Sequence, residues 1–157
     1  MFKGFIGAIW RRVPARIRRW SMRVTHTRFT VTAGAVIFND KGEVLLLKHL
    51  FRVGSGWGLP GGFLEVDEQP IDAVRRELHE EVGLELDDVE VFAARSFRRP
   101  RQVEVIFRGR ANGAVAPRSM EVERAEWFAM SALPDGLPKD QRLIVERAAS
   151  DGAKQWV

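Results

Sequence analysis

Cysteine is absent from the 157 residues, which excludes disulfides, thiol catalysis and cysteine–zinc sites and fits a reducing compartment. Histidine is scarce. His26, His49 and His79 form no cluster and offer no metal-site spacing; His79 reads as a surface residue. No apolar run approaches the roughly 20 residues needed to span a bilayer. An ordinary secretory signal is missing too: Gly4 to Trp10 is a short apolar stretch, followed by arginines rather than a small-residue cleavage site. A cytoplasmic location is the expectation. What is present is an apolar content of 45%, enough for one good core but not for two full domains.

Acid is missing from one end of the chain. Residues 1–28 hold eight of the 25 basic residues and none of the 21 acidic ones, so they carry +8 and leave −4 on the rest. The net charge of +4 therefore hides an acidic body behind a basic leader. Two units are expected, a basic amphipathic N-terminal extension over residues 1–28 and an acidic body over 29–157. Within the leader, Phe2, Phe5, Ile6, Ile9, Trp10, Val13, Ile17 and Trp20 recur at helical spacing, and Pro14 breaks or kinks the pattern. Three partners compete for this stripe. It can pack on the acidic body or on a second subunit, with docking on the body favoured by charge. Residues 1–24 can instead lie on an anionic membrane surface, which would place the protein at the inner face of the membrane. Contact with nucleic acid phosphates ranks lowest, because no reading module accompanies the arginines.

Beyond residue 28 the pattern alternates between strand and helix. Thr30 to Phe38 and Val44 to Lys48 read as a strand pair around an Asn39-Asp40-Lys41-Gly42 turn. A glycine-containing loop over residues 50–58 leads into Leu59-Pro60-Gly61-Gly62, where glycine lets backbone approach a ligand. Val89 to Phe97 and Gln102 to Arg110 are further strands around Arg98-Arg99-Pro100-Arg101, and Ala125 to Ala129 is a short one. Asp140 to Ala149 reads as a closing helix with Leu143, Ile144 and Ala148 inward. Strands interspersed with two helices suit a mixed sheet covered on both sides, an α/β architecture.

The stretch Gly62 to Leu84, GFLEVDEQPIDAVRRELHEEVGL, carries most of the chemistry. Pro70 suits the first turn of a helix and Gly83 suits the left-handed residue that ends one. Ile71, Val74, Leu78 and Val82 make an apolar face, while Glu77, Glu80 and Glu81, at i, i+3 and i+4, share an adjacent face within about 100°. Like charges so placed repel, which points to a cation among them; a solvated acidic helix face is the plainer explanation.

The spacing of Gly62, Glu68, Arg76-Glu77-Leu78, Glu80-Glu81 and Gly83-Leu84 matches every fixed position of the box that defines the Nudix hydrolases, and the chain resembles that family. The resemblance implies an α/β/α sandwich over roughly residues 29–150. It also implies metal-dependent hydrolysis of a pyrophosphate bond in a nucleoside diphosphate derivative. Divalent metal neutralises phosphate charge and acidifies water, and Mg²⁺ (or Mn²⁺) prefers oxygen ligands. By the same resemblance Glu77, Glu80 and Glu81 are the metal-binding and catalytic acids, and the Gly61 carbonyl is a backbone ligand. Glu68 and Arg76 brace the helix. An acid outside the box, on the loop before a Trp-Phe strand, serves many family members; Glu121 has the better spacing from Trp127 and Glu123 is second, although either can be a solvated loop carboxylate.

Substrate contacts are less defined. Pro100 is the sixteenth residue after Leu84, a spacing associated in the family with ADP-ribose, which would give AMP and ribose 5-phosphate. Arg52, Phe51 and Phe97 are placed to frame a base or sugar, whereas Trp57 reads as core. Arg98, Arg99 and Arg101 either grip a phosphate or form an exposed hairpin tip. Other nucleotides (a sugar nucleotide, a dinucleoside polyphosphate or a damaged triphosphate) are the alternative substrates. A non-catalytic nucleotide sensor is the rival outside enzymes, and a homodimer is expected from the family.

Overall fold

In the computed structural model, residues 12–17, 20 and 27–150 are described. β1 (Thr30–Phe38) is the middle of the molecule. It pairs in parallel with β6 (Gln102–Arg110) along its whole length, from Thr30↔Gln102 to Phe38↔Arg110. β2 (Val44–His49) meets β1 only at Phe38↔Val44 and then diverges to pair with β3 (Trp57–Gly58) and β7 (Val122–Phe128). The flank of β1 that β2 vacates is taken by β4 (Gly61–Phe63), and β5 (Asp87–Phe97) closes the far edge against β6. The seven strands form one mixed sheet.

Both faces of that sheet are covered, which is why β1 and β2 read as nearly continuous apolar runs. On one face Ala33, Ala35, Ile37, Leu45 and Leu47 pack with Val74, Leu78 and Val82 of α1 (Pro70–Val82). On the other, Val36, Val44, Leu46 and Ile106 pack with Val145 and Ala148 of α2 (Lys139–Ser150). The α/β/α arrangement is therefore present. Helix α1 starts where its sequence says it should, with Gln69 as N-cap and Pro70 in the first turn. It ends on Gly83 at φ 70°, whose N–H donates to the Leu78 and His79 carbonyls, both at 3.0 Å.

Several expectations need correction. The segment assigned to loop contains β3 and β4, strands of two and three residues that exist because β2 and β1 offer them partners. β7 begins at Val122 rather than Ala125, since its pairing with β2 runs on to His49↔Val122. Leu143 is about half exposed at 48%, and Val145 is fully buried in its place. Val145 and Ala148 lie one turn apart, and that pair fixes the helix phase, with Ile144 partly buried beside them. Of the leader stripe, Ile17 and Trp20 are 53% and 65% exposed, so docking on the body is not seen there; most of the remaining calls on residues 2–24 fall outside the described residues. Among the described residues no helix is long and apolar enough to cross a membrane.

Candidate active site

The three helix acids are graded by depth. Glu80 has 57% of its side chain exposed, Glu77 18% and Glu81 8%. Glu81 is thus turned further inward than a simple acidic face would place it, beneath the Gly61–Gly62 turn. Glycine is required at the first position of that turn and makes room for Glu77 at the second. At Gly61, φ is 139° and a Cβ would strike the Ala33 carbonyl oxygen; at Gly62 a Cβ would strike the Glu77 carboxylate.

Arg76 holds the outer part of this group. Its guanidinium donates to Glu68 Oε1 at 2.9 Å and Oε2 at 3.2 Å, to Glu77 Oε1 at 3.1 Å, to Glu80 Oε2 at 3.4 Å and to the Phe63 carbonyl at 3.1 Å. Glu68 also accepts from its own loop, from the Glu65 N–H at 2.8 Å. The pair therefore joins α1, the loop before it and β4. Among the described residues no three Asp, Glu or His side chains converge into a ready-made cation cage.

Glu81 lacks such a partner. One of its oxygens is buried without a hydrogen bond, and the other lies 3.6 Å from His49 Nδ1. Burial pushes its carboxyl up to about 8, Glu77 and Glu121 add to the rise, and Arg52 and the Gly61 N–H oppose it. Burial likewise raises Glu77, against the pull of Arg76. His49 is pushed down to about 4 by burial and by Arg52, so it is neutral at pH 7. An oxygen-rich pocket with an unsatisfied buried carboxylate fits a hard divalent cation.

The influence of Glu121 on Glu81 places it within electrostatic reach of the helix acids, just before β7. Glu123 is occupied elsewhere, 2.9 Å from Lys48. Of the two loop acids, Glu121 is the one whose charge acts on Glu81.

On the other side of the Gly61–Gly62 turn lies a cleft of about 200 Å³. Arg52 enters it, and its guanidinium covers Gly58, where a Cβ would collide with Nη1. Nη1 is buried without a partner, and Arg52 is close enough to feel both Glu81 and Glu104. Glu104 of β6 and Gln141 of α2 complete the polar lining with Gln102. Arg95 ties these elements together by pairing with Glu104 and, at 2.8 Å, with Asp140. Phe97 and Arg99 are not in the cleft lining: Phe97 lies under the Arg95 guanidinium at 4.8 Å, and Arg99 is in the exposed turn with Arg98 and Arg101. Trp57 packs edge-on against Phe128, with ring centroids 5.0 Å apart, as a core residue should. A larger hollow, about 550 Å³, opens at the opposite end of β1 beside Asp40 and Glu90, away from the box acids.

His49, Glu104 and Gln141 carried no signal in the sequence. His49 follows an irregularity in the β2–β7 ladder between Lys48 and His49, the kind of bulge that re-aims a side chain. Gln141 reaches the cleft from a helix about 80 residues away, held by the Leu59 N–H donating to its Oε1 at 2.9 Å.

A family model described as NUDIX domain matches residues 28–148. The chain belongs to the Nudix family. Among curated proteins this Nudix chain is 33% identical over 130 residues to an RNA pyrophosphohydrolase of Halorhodospira halophila, covering 82% of the chain and 65% of that relative. It is 32% identical over 121 residues to human 8-oxo-dGDP phosphatase NUDT18, covering 73% of the chain and 37% of the relative. The match thus spans less than two thirds of either relative's length. Among solved structures, a MutT NUDIX hydrolase from Burkholderia pseudomallei superposes with a TM-score of 0.68 at 28% identity, covering 76% of this chain and 98% of that one. Nudix hydrolases generally use divalent metal ions, in keeping with the donor set around Glu81.

The depth of Glu81 gives a pH signature in protein stripped of metal. Its folded pKa near 8 lies above the ordinary 4.5, so between those values the folded state holds a proton that the unfolded chain releases, and stability falls as pH rises. His49, lowered from 6.5 to about 4, works in the opposite sense, but only below pH 6.5. Between about 6.5 and about 8 the Glu81 slope stands clear. With a chelator present, the thermal midpoint is expected to fall across that window, and Glu81→Gln should remove this part of the slope.

Proposed function

We propose that this chain is a divalent-metal-dependent pyrophosphohydrolase acting on nucleoside diphosphate derivatives. The observation that carries the proposal is the buried, unpartnered oxygen of Glu81 beneath the Gly61–Gly62 turn. Glu77, Glu80 and Glu81 would hold Mg²⁺, with the Gly61 carbonyl as a further ligand; when bound, the ion neutralises phosphate charge and lowers the pKa of water. The remaining work belongs to the chain. Glu121, whose charge reaches Glu81 from the loop before β7, takes the proton of the attacking water. Arg52 stands between the acids and the cleft, with a free N–H for a phosphate oxygen. Arg76 keeps the acids of α1 in register with β4.

ADP-ribose keeps the support of Pro100 alone, and Pro100 lies in the exposed turn between β5 and β6. The named relatives act on RNA and on 8-oxo-dGDP. The decisive experiment incubates the full chain with Mg²⁺ or Mn²⁺ and ADP-ribose, a 5′-triphosphorylated RNA, 8-oxo-dGDP or a sugar nucleotide, and separates the phosphate esters. Metal-dependent cleavage of at least one is the expected result. Tight nucleotide binding with no cleavage under any metal or pH would make the chain a ligand sensor instead.

A further inference from the structure

One rung of the sheet crosses the cleft. Phe63 of β4 is opposite Thr32 of β1, and Thr32 is opposite Glu104 of β6. Residues directly opposite share a face, so the three side chains stand on the cleft side, with Phe63 and Glu104 two strand spacings, roughly 10 Å, apart. Beside this rung the floor is low, because the next residue of β1 on that face is Gly34, whose added Cβ would lie 3.5 Å from the Pro60 carbonyl oxygen and 3.9 Å from Glu104 Oε1.

Each of the three has a distinctive state. Phe63 lines the cleft yet is 62% exposed, an open aromatic face beside the glycine turn. Its backbone is fixed through Arg76, which also holds Glu77 and Glu80, so the ring is indexed to the reacting end. Thr32 is buried and occupied, its hydroxyl accepting from Gln102 Nε2 at 2.7 Å. Glu104 is partly buried and paired through Oε2 with Arg95, leaving Oε1 directed to the cleft. Across from it, Gln141 uses its oxygen to hold the Leu59 N–H, and its amide nitrogen has no partner among the described residues.

We propose that this rung selects the base of the substrate and favours guanine: Phe63 stacks on the base, Glu104 accepts from its N1–H and 2-amino group, and Gln141 donates to its O6. The assignment rests on the pyrophosphohydrolase reading and deepens it. Oε1 of Glu104, with its two lone pairs, faces two adjacent N–H donors, which guanine has on that edge. Adenine has one amino group there and a bare N1 lone pair, so one bond is lost and two lone pairs face each other. A hydrogen-bond pair of this kind is worth roughly ten- to hundredfold in discrimination. Stacking on Phe63 serves any base, because every base has a π-face.

The test compares GTP with ATP as matched substrates of the full chain with Mg²⁺. Wild type is expected to show a kcat/KM for GTP higher by roughly ten- to hundredfold. Glu104→Gln should lower the GTP value and raise the ATP value, since its amide can donate to N1 of adenine. Phe63→Ala should raise KM for both by roughly tenfold and keep their ratio. Thermal unfolding of each variant shows whether the fold survives the loss of the Arg95 pair. Equal or reversed preference in wild type overturns the assignment, whatever the variants do, and so does a Glu104→Gln variant impaired equally on both. If neither nucleotide is cleaved, the affinities for non-hydrolysable GMP-PCP and AMP-PCP decide the base assignment separately: tighter GMP-PCP binding supports it and equal binding ends it.

Discussion

Glu81→Gln is expected to lower turnover by roughly two to four orders of magnitude at saturating metal while leaving the fold intact. The side chain is 8% exposed, one of its oxygens has no partner, and Glu77 and Glu121 add negative field around it. A carboxylate so placed is unfavourable until a cation meets it. Glutamine has the same shape and keeps one carbonyl oxygen, so it fits the space but brings no charge to bind the metal. The variant should therefore be at least as stable as wild type in a chelator at pH 8, and metal should stabilise it far less. Turnover and thermal midpoints, each measured over a metal titration, give both readouts. A variant with wild-type turnover would remove Glu81 from the metal site.

Gly61→Ala is expected to destabilise the protein by roughly 2–4 kcal/mol and to abolish turnover. Two costs combine. The φ of 139° is one that L-residues rarely adopt, and the new methyl would meet backbone: the Ala33 carbonyl and, at 2.6 Å, the Gly34 Cα. β1 cannot yield, because β6 holds it along nine register pairs on its other side. β4 would have to peel away, taking the Phe63 carbonyl from Arg76 and the turn from Glu81. Gly62→Ala is the control. Its methyl meets the end of the Glu77 side chain, which can swing aside, so turnover should fall with a much smaller loss of stability. Denaturant midpoints for the two variants check the difference. Similar stability for both would mean that the β1–β4 contact is looser than its geometry implies.

Legibility in the sequence followed the range of the interaction. Helix α1 was readable in full, since Pro70, the apolar face and Gly83 act within a few residues of one another. β1, β2, β5 and β6 were readable because long apolar or β-branched runs bounded by turns need no distant partner to be recognised. β3 and β4 were not, as Trp57–Gly58 and Gly61–Phe63 have no strand signal of their own and owe their conformation to β2 and β1. The site divides in the same way. Glu77, Glu80, Glu81, Glu68 and Arg76 stand on one local segment, and the fold keeps them together. The depth of Glu81 depends on the turn above it, and Glu104 and Gln141 become neighbours only through the sheet and α2, so composition and spacing could not reveal either. Arg52 was anticipated from its aromatic surroundings but owes its position to Gly58, which leaves room for the guanidinium.

Strand β1 forms a partition one backbone thick. Ala33, Ala35 and Ile37 look towards the acid-bearing helix, and Thr32 and Gly34 look the opposite way. On the proposed assignments, bond breaking and base choice would stand on opposite sides of this strand, joined at the glycine doorway and at Arg52. New preferences could be engineered on the far wall without rebuilding the reactor, provided the doorway stays open.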